Sequence, residues 1–482
     1  MKNLVHYLVI SLMVCLLPHV AYPQTSLQHF VGNPALKHAS VGVSVVELES
    51  GKSIANHDAE KSLTPASVLK LITTATALET LGENYRYKTK IAMDADDFSR
   101  ILVLGGGDPT LGSGAFPDNP YIFFINGTEA LTESLPKDKE YTILVVDNLF
   151  GYDGISPEWT WIDIGNYYAA GAYGISIFDN SYKLVFNTMN RKERPKILRT
   201  EPEIKGLTFQ NLLTLNETGR DNGYIYGVPF GYEKELRGNI PAGRSEFSIK
   251  GDIPDPGRLL GETLGEYLKQ AGYQIGAIET TRQDYLSRGN TNGQTPPYRV
   301  GNVPFTLASR PLKEIIREVN VESNNHYAEH LIRTIGRHAN SDIQTNALTE
   351  GIDYTVNYWK NKGIDPTPLT MHDGSGLAPQ NTVSARFLTD LLLYMHNQSS
   401  VSATFFNSLP KAGQEGTLKY FLRDSRLTGK VSAKSGSIGG VQCYSGYLID
   451  GEKKYAFAVM VNKFSGTRNE VRNAIEQFLL GL

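Results

Sequence analysis

The stretch Pro65-Ala66-Ser67-Val68-Leu69-Lys70 is the part of the sequence that indicates most about fold and function. It opens a run without further glycine or proline that lasts until Gly82, so the sequence predicts a helix between these two points. Residues three apart share a helix face, so the Ser67 hydroxyl and the Lys70 amine can meet. A lysine buried among apolar neighbours has a lowered pKa and can take the proton of a serine. The stretch therefore predicts an activated serine, although short matches of this kind are common.

Two further polar motifs lie far along the chain. Ser323-Asn324-Asn325 falls between two helical segments, and Lys434-Ser435-Gly436 falls on a strand-like run near the C terminus. Alone, the first is explained by a helix cap and the second by a strand end. Together, S-x-x-K, S-x-N and K-S-G occur in the order and on the elements that are typical of penicillin-recognising serine acyltransferases.

The residue types of the first two motifs suit acyl transfer. We expect Ser67 to attack a carbonyl carbon and form an acyl-enzyme, with Lys70 as the base that accepts its proton. Ser323 can relay that proton to the leaving amine, and Asn325 can hold the amide of the substrate.

The third motif suits binding of a terminal carboxylate. Lys434 supplies a positive charge and Ser435 a hydroxyl, while Gly436 lets a substrate backbone approach the strand closely. The backbone N–H groups of Ser67 and Ser437 are the predicted oxyanion hole.

With these motifs, the chain resembles a class C low-molecular-mass penicillin-binding protein, a D-alanyl-D-alanine carboxypeptidase and endopeptidase. Ser323 follows Lys70 by 253 positions, and a large insertion between these motifs is a property of that family. The resemblance is strongest in the outer segments, and it is supported by three further matches: Gly107-Asp108-Pro109-Thr110-Leu111, Trp159-Thr160-Trp161-Ile162-Asp163 and Asp373-Gly374-Ser375-Gly376-Leu377.

The resemblance implies an α/β (α+β) fold of the serine DD-peptidase and β-lactamase type, in which helices flank an antiparallel sheet. Residues 25–90 and 295–482 are expected to form this discontinuous, transpeptidase-like domain. A large, mainly β insertion of one or two subdomains is expected over residues 91–294. An insertion of this length favours a DD-peptidase over a single-domain β-lactamase.

The resemblance also implies substrate-binding residues within the insertion. Asp163 and Tyr168 match positions that contact the amino group of a diaminopimelate side chain in the family. The third motif departs slightly from the commoner K-T-G, but Ser435 and a threonine can both donate a hydrogen bond to a carboxylate.

The N-terminal residues predict export. A short basic start is followed by an apolar run from Leu4 to Leu17, which is typical of a signal peptide over residues 1–24. We therefore expect a protein of the periplasm or cell envelope with at most peripheral membrane association. The net charge of −3 gives no reason to expect nucleic-acid binding. The expected partners are peptidoglycan peptides and β-lactams, with no cofactor or metal, and the sequence leaves the oligomeric state open.

Two alternatives stay open at the level of sequence. His326, Glu329 and His330 form an H-x-x-E-H motif, in which both histidines would share a helix face and could bind zinc beside a glutamate base. The other alternative is a non-catalytic penicillin-binding scaffold, which would be acylated on Ser67 without releasing D-alanine.

Overall fold

The computed structural model describes residues 23–282 and 297–482. The signal peptide predicted over residues 1–24 lies almost wholly outside the described residues, as does the domain boundary predicted near residue 294. Both therefore stay predictions. Within the two described ranges, no helix is long and apolar enough to cross a membrane.

The α-helices of the described ranges surround or flank the sheets. In chain order they are α1 (Pro23–Val31), α2 (Lys70–Leu81), α3 (Ile122–Thr132), α4 (Pro256–Gln270), α5 (Leu312–Val321), α6 (Asn325–Ala339), α7 (Ala347–Asn361), α8 (Ala385–Asn397), α9 (Ser402–Ser408) and α10 (Arg468–Leu480).

The strands of the described ranges occur mainly in the middle and at the two ends. In chain order they are β1 (Ser40–Glu47), β2 (Ser53–His57), β3 (Lys88–Met93), β4 (Arg100–Leu104), β5 (Glu140–Val146), β6 (Ser181–Asn187), β7 (Lys196–Glu201), β8 (Thr208–Asn211), β9 (Thr214–Asn216), β10 (Asn222–Tyr226), β11 (Glu233–Pro241), β12 (Phe247–Asp252), β13 (Gln274–Thr280), β14 (Phe305–Ala308), β15 (Val431–Ile438), β16 (Val441–Asp450) and β17 (Lys453–Asn462).

The first sheet joins the two ends of the chain. Its strand order is β15-β16-β17-β1-β2, and each neighbouring pair is antiparallel. Alternate residues of β17 enter different cores: Ala456 and Met460 pack toward α2 and α8, whereas Phe457 and Val461 pack toward α1 and α10. Both faces are therefore covered by helices, and the predicted fold class is confirmed.

Helix α2 lies inside the larger core. Its residues from Lys70 to Leu78 are all buried, because α5, α6 and α8 pack around it. A helix that is buried on all sides needs a largely apolar sequence, and α2 carries leucine, isoleucine and alanine from Leu71 to Leu78 with only threonines between them. The buried lysine at its first position is the exception, and burial of that amine is what shapes its chemistry.

The second sheet lies in the middle of the chain, in the order β13-β5-β4-β3-β14. Strands β13, β5 and β4 are parallel, and helices α3 and α4 pack against them, so this region contains helices as well as the predicted strands. By strand pairing the sheet extends beyond residues 91–294, since β3 begins at Lys88 and β14 ends at Ala308. The division into domains stays a prediction.

Two smaller sheets complete the middle of the chain. One has the order β12-β6-β7, and the other has β10-β11-β8 with β9 paired to β11. The loop before Tyr167 is tied to β10, because the Asn166 side chain bonds both the N–H and the C=O of Ile225. This contact fixes the segment around residues 159–168, which contacts Asp373 through Trp159 and Asn325 through Tyr168.

Candidate active site

Ser67 lies on a short 3₁₀ turn, Ala66–Leu69, that leads directly into α2. The residue before it, Ala66, has a φ of +47°, a left-handed conformation that is uncommon outside glycine and often marks functional turns. Ser67 is partly exposed, whereas Lys70 is fully buried behind it. The serine hydroxyl is therefore accessible from outside while its neighbouring amine is shielded from solvent.

The Lys70 amine is held by three acceptors from different parts of the chain. Its Nζ lies 2.9 Å from Ser67 Oγ, 2.6 Å from Asn325 Oδ1 and 2.6 Å from the backbone oxygen of Ser375. An ammonium group has three donors, and these three acceptors use all of them. The predicted contact between the serine and the lysine is thus present in the structure.

Burial lowers the pKa of Lys70 to about 7, although the nearby carboxylates of Asp373 and Glu329 oppose the shift. An ordinary lysine is almost fully protonated at neutral pH and is a poor base. With the lowered pKa, a large fraction of the Lys70 amine is neutral near pH 7 and can accept a proton from the neighbouring hydroxyl.

The second motif lies on the turn into α6. Asn324 caps this helix, accepting from the N–H of Tyr327 at 3.1 Å, and Asn325 is its first residue. Asn325 spans the site, because its Nδ2 donates to the backbone oxygen of Tyr168 at 2.8 Å while its Oδ1 faces Lys70. Ser323, with a φ of +61°, is partly exposed. Within the described residues, Ser323 makes no hydrogen bond to the serine–lysine pair.

The third motif lies on β15, the edge strand of the first sheet. A Cβ atom on Gly436 would lie 2.4 Å from the backbone oxygen of Pro65 and 2.9 Å from the N atom of Val68. The strand therefore packs directly against the Ser67 turn, and only glycine permits this distance.

Lys434 is buried on the same strand, and its Nζ donates to the backbone oxygen of Ser435 at 3.0 Å. Burial lowers the pKa of Lys434 well below its ordinary value, the positive charge of Lys70 lowers it further, and Glu322 opposes the shift. Ser435 is partly exposed and Ser437 is exposed. The three motifs thus meet in one place, with two lysines close enough to influence each other.

Asp163 and Tyr168 lie on the segment that contacts the site from the middle of the chain. The Asp163 carboxylate accepts from Thr160 Oγ1 at 2.5 Å, and both Asp163 and Tyr168 are partly exposed. Burial raises the pKa of Tyr168, and the neighbouring Asp163 raises it further. The two side chains therefore lie beside each other, and the backbone of Tyr168 contacts Asn325.

A fourth segment, Asp373–Gly376, completes the surroundings of Lys70. The Asp373 carboxylate accepts from the Trp159 indole at 2.9 Å and from the N–H groups of Gly376 and Ala378 at 2.8 and 2.7 Å. The motif was noted in the sequence without a role. A backbone carbonyl such as that of Ser375 has no signature in a sequence, so its contact with Lys70 could not be predicted.

The H-x-x-E-H residues are buried on α6 and have protein partners. His330 Nδ1 lies 2.8 Å from the backbone oxygen of Gly107, and His326 Nε2 lies 2.7 Å from a serine hydroxyl. Glu329 forms a buried ion pair with Arg333 at 2.7 Å. A glutamate engaged in this way is not free to act as a base, and within the described residues no group of three or more His, Cys, Asp or Glu is arranged to hold a metal ion. The geometry favours a structural role for this motif.

Fold and site together define the class. An antiparallel sheet flanked by helices, with a serine–lysine pair at the start of a buried helix and a Lys-Ser-Gly edge strand beside it, is the arrangement of a penicillin-recognising serine DD-peptidase. The model of the D-Ala-D-Ala carboxypeptidase 3 (S13) family matches residues 24–480, and the chain belongs to that family. The predicted family and the predicted activity, a serine-type D-Ala-D-Ala carboxypeptidase, are confirmed.

Known relatives cover nearly the whole chain. The D-alanyl-D-alanine carboxypeptidase of Actinomadura sp. (strain R39) is 26% identical over 450 residues, which are 90% of this chain and 80% of the relative. The penicillin-sensitive carboxypeptidase A of Dictyostelium discoideum is 23% identical over 455 residues, 87% of this chain and 82% of the relative. The crystal structure of penicillin-binding protein 4 from Haemophilus influenzae superposes with a TM-score of 0.75 at 17% identity, over 94% of this chain and 97% of that chain. This likeness shows the shared fold.

Proposed function

We propose that the chain acts on peptidoglycan, releasing the terminal D-alanine of stem peptides and cleaving DD cross-links through an acyl-enzyme on Ser67. The observation that carries the proposal is the contact between Ser67 Oγ and a buried Lys70 amine whose pKa is lowered to about 7. This pair supplies a nucleophile together with a base that is partly neutral at physiological pH.

In the acylation step, Ser67 Oγ attacks the carbonyl carbon of the penultimate D-alanine as its proton passes to Lys70 Nζ. The C–N bond then breaks, and the leaving amine needs a proton. Ser323, on the turn that also carries Asn325, is the proposed relay that returns a proton from Lys70 to this amine. D-Alanine leaves, and the remaining peptide stays attached as an ester.

In the deacylation step, water attacks the ester carbonyl while Lys70 takes its proton. The ester C–O bond breaks, Ser67 recovers its proton, and a new peptide carboxylate leaves. The backbone N–H groups of Ser67 and Ser437 are the proposed donors to the oxyanion in both steps, and each donor of this kind is worth on the order of 10²–10³ in rate.

The edge strand β15 provides the proposed binding surface. An extended substrate can pair with its free edge, because β15 is the outermost strand of its sheet. The terminal carboxylate is proposed to bind Ser435 Oγ and Lys434 Nζ. A bound carboxylate beside Lys434 favours the charged amine, which burial disfavours in the free protein.

Asp163 and Tyr168 are proposed to bind the side chain at the third position of the stem peptide. The position of Tyr168 supports this role, since its backbone oxygen accepts from the Asn325 amide and its side chain lies beside Asp163. A carboxylate next to a tyrosine hydroxyl suits the ammonium group of a diamino acid. Other polar side chains would bind less well there.

The proposed location is outside the cytoplasm, in the periplasm or cell envelope. The apolar N-terminal run of the sequence supports export, and peptidoglycan is present only outside the cytoplasmic membrane. Two relatives support the proposal that β-lactams bind: one is named a penicillin-sensitive carboxypeptidase, and the H. influenzae protein has also been crystallised with a β-lactam.

A pentapeptide ending in D-Ala-D-Ala tests the proposal. Free D-alanine is measured for the wild type, for Ser67→Ala and for wild type that has been blocked with a fluorescent penicillin. We expect release from the untreated wild type and loss of at least about 10³-fold in the other two samples. Equal release from Ser67→Ala would refute Ser67 as nucleophile, and labelling of the wild type without release of D-alanine would support the scaffold alternative.

A further inference from the structure

Glu329 lies beneath the reaction centre and takes no part in the steps proposed above. It follows Asn325 by one turn on α6, and its side chain is fully buried. Its Oε1 accepts hydrogen bonds from the N–H of Gly374 at 3.0 Å and from the N–H of Ser375 at 2.9 Å. A buried carboxylate is costly unless such donors compensate it, so this contact is a specific feature of the fold.

Arg333 favours the ionised form of Glu329. Its Oε2 lies 2.7 Å from Arg333 Nη1, and Arg333 Nη2 also donates to the backbone oxygens of Asp153 and Gly154 at 3.1 and 3.0 Å. Burial and the nearby Asp373 raise the pKa of Glu329, and the guanidinium lowers it. The hydrogen bonds from two amides and one guanidinium all favour the charged carboxylate.

The loop that Glu329 holds is the loop that binds Lys70. The Ser375 oxygen accepts from Lys70 Nζ at 2.6 Å, and the Gly374 oxygen accepts from Thr73 Oγ1 at 2.7 Å. Gly374 also packs tightly against α6, because a Cβ there would lie 2.6 Å from the backbone oxygen of Ala328. The loop is thus fixed between α2 and α6, with its amides on Glu329 and its carbonyls on α2.

We propose that Glu329 is a positioning residue for Lys70. Its carboxylate fixes the Ser375 carbonyl against the Lys70 amine, and its negative charge favours the protonated form of that amine. The proposal rests on the proposed function, because it takes Lys70 as the base. The groups that face Lys70 from the surrounding elements are Ser67, Asn325, Glu329, Asp373, the Ser375 carbonyl and Lys434.

The pH dependence of acylation by a fluorescent penicillin tests the proposal. Rates are measured from about pH 5 to about pH 9 for the wild type and for Glu329→Gln, which keeps the shape of the side chain but loses its charge. Removing a negative charge favours the neutral amine, so the midpoint of the rising limb should move down by about 0.5–1 pH unit. Weaker positioning should also lower the plateau rate by about tenfold.

A matched control is Glu314→Gln. Glu314 also pairs with an arginine four positions away, Arg310, but it is partly exposed and has no contact with the Lys70 loop. The pH midpoint of acylation for Glu314→Gln should equal that of the wild type. A midpoint for Glu329→Gln that stays in place or moves up overturns the proposal, because a purely structural defect would change the rate without moving the midpoint.

A second variant and a separate control cover the other outcomes. If Glu329→Gln does not fold, as judged by circular dichroism, Glu329→Asp decides: it keeps the charge but is too short to reach both amides. Because the shorter side chain withdraws the charge from the loop and from Lys70, a midpoint below that of the wild type supports the proposal, and an unchanged midpoint overturns it, whatever the rate. Acylation of Ser67→Ala would instead refute the proposed function, whatever the Glu329 variants do.

Discussion

Lys70 Nζ lies 2.6 Å from Oδ1 of Asn325, although 255 positions separate the two residues along the chain. The amide approaches the amine through its oxygen, because its nitrogen is already bonded to the backbone of Tyr168. The protonation state of the base therefore depends on a residue from beyond the middle region of the chain, and on a backbone atom within that region. Changes at either contact should be measurable in the pH dependence of acylation.

Asn325→Asp should move this pH dependence upward. The substitution places a negative charge within hydrogen-bonding distance of Lys70, and an opposite charge so close favours the protonated amine. We expect the midpoint of acylation to rise by about 1 pH unit or more and the rate at pH 7 to fall about tenfold. Asn324→Asp is the control, since aspartate also caps helices and this neighbour does not contact Lys70. Equal midpoints for Asn325→Asp and wild type would contradict the assignment of Lys70 as the base.

The wild-type enzyme should become more active as the pH rises through about 7. The pKa of Lys70 is lowered to about 7 by burial, and only the neutral amine can accept the Ser67 proton. Below this pKa the amine is protonated and acylation is slow, and above it the rate reaches a plateau. Stopped-flow measurement with a chromogenic β-lactam would follow this limb, and a rate that is constant between about pH 5.5 and about pH 8.5 would argue against Lys70 as the base.

Gly436→Ala should separate the edge strand from the Ser67 turn. The new methyl group would lie 2.4 Å from the Pro65 backbone oxygen, so one of the two segments must move. We expect a loss of about 1–3 kcal/mol in the free energy of unfolding and a marked loss of acylation. Gly439→Ala is the matched control, because a Cβ there meets no atom within 4 Å. Similar losses of stability and acylation in both variants would show that these losses do not come from the close packing of Gly436.

Trp159→Phe should destabilise the protein through a single lost hydrogen bond. The Trp159 indole donates to the buried Asp373 carboxylate at 2.9 Å and joins the middle of the chain to the Lys70 loop. Phenylalanine keeps an aromatic ring but leaves this acceptor with one donor fewer, at a cost of about 1–2 kcal/mol in unfolding free energy. Urea denaturation of Trp161→Phe provides the comparison, since Trp161 is 56% exposed whereas Trp159 is 5% exposed. An equal loss of unfolding free energy in both variants would contradict a specific contribution of the Trp159–Asp373 hydrogen bond.

Chelation should leave the activity intact. Glu329 is engaged by Arg333 and by two backbone amides, so the zinc alternative lacks a free base. We expect D-alanine release to be unchanged after dialysis against EDTA and to disappear after treatment with penicillin. Activity that is lost with EDTA, restored by zinc and insensitive to penicillin would favour a zinc site at the H-x-x-E-H motif over the serine site.

Some of the outer elements and the central pair of the site could be predicted from the sequence, because both rest on local patterns. The amphipathic run from Arg468 to Leu480 predicts a closing helix, and α10 has these bounds. The Ser67–Lys70 contact follows from helical spacing. Helices α3 and α4 in the middle region were not predicted, since many short β-like runs and glycines dominate that part of the chain. Their apolar faces are recognisable only once they pack on the second sheet.

The remaining parts of the site depend on contacts that leave no pattern in the sequence. The Ser375 and Tyr168 contributions come from backbone oxygens, which every residue carries. The sequence leaves a zinc motif open as an alternative for Glu329, because the spacing of its neighbours on a helix is the same whether they bind metal or pack inside a protein. The contacts of Glu329 with the Gly374–Ser375 amides and with Arg333 distinguish the two uses.

The pairing of β1 with β17 has a consequence for biosynthesis. Strand β1 is among the first elements of the described chain, and its central neighbour in the sheet, β17, is among the last. Strand β15, which packs on the Ser67 turn, also comes late. A growing polypeptide folds from its N terminus, so the serine is made long before the strand beside it exists. The enzyme is therefore inert throughout its own synthesis, and it gains hydrolytic power only when the chain is nearly complete.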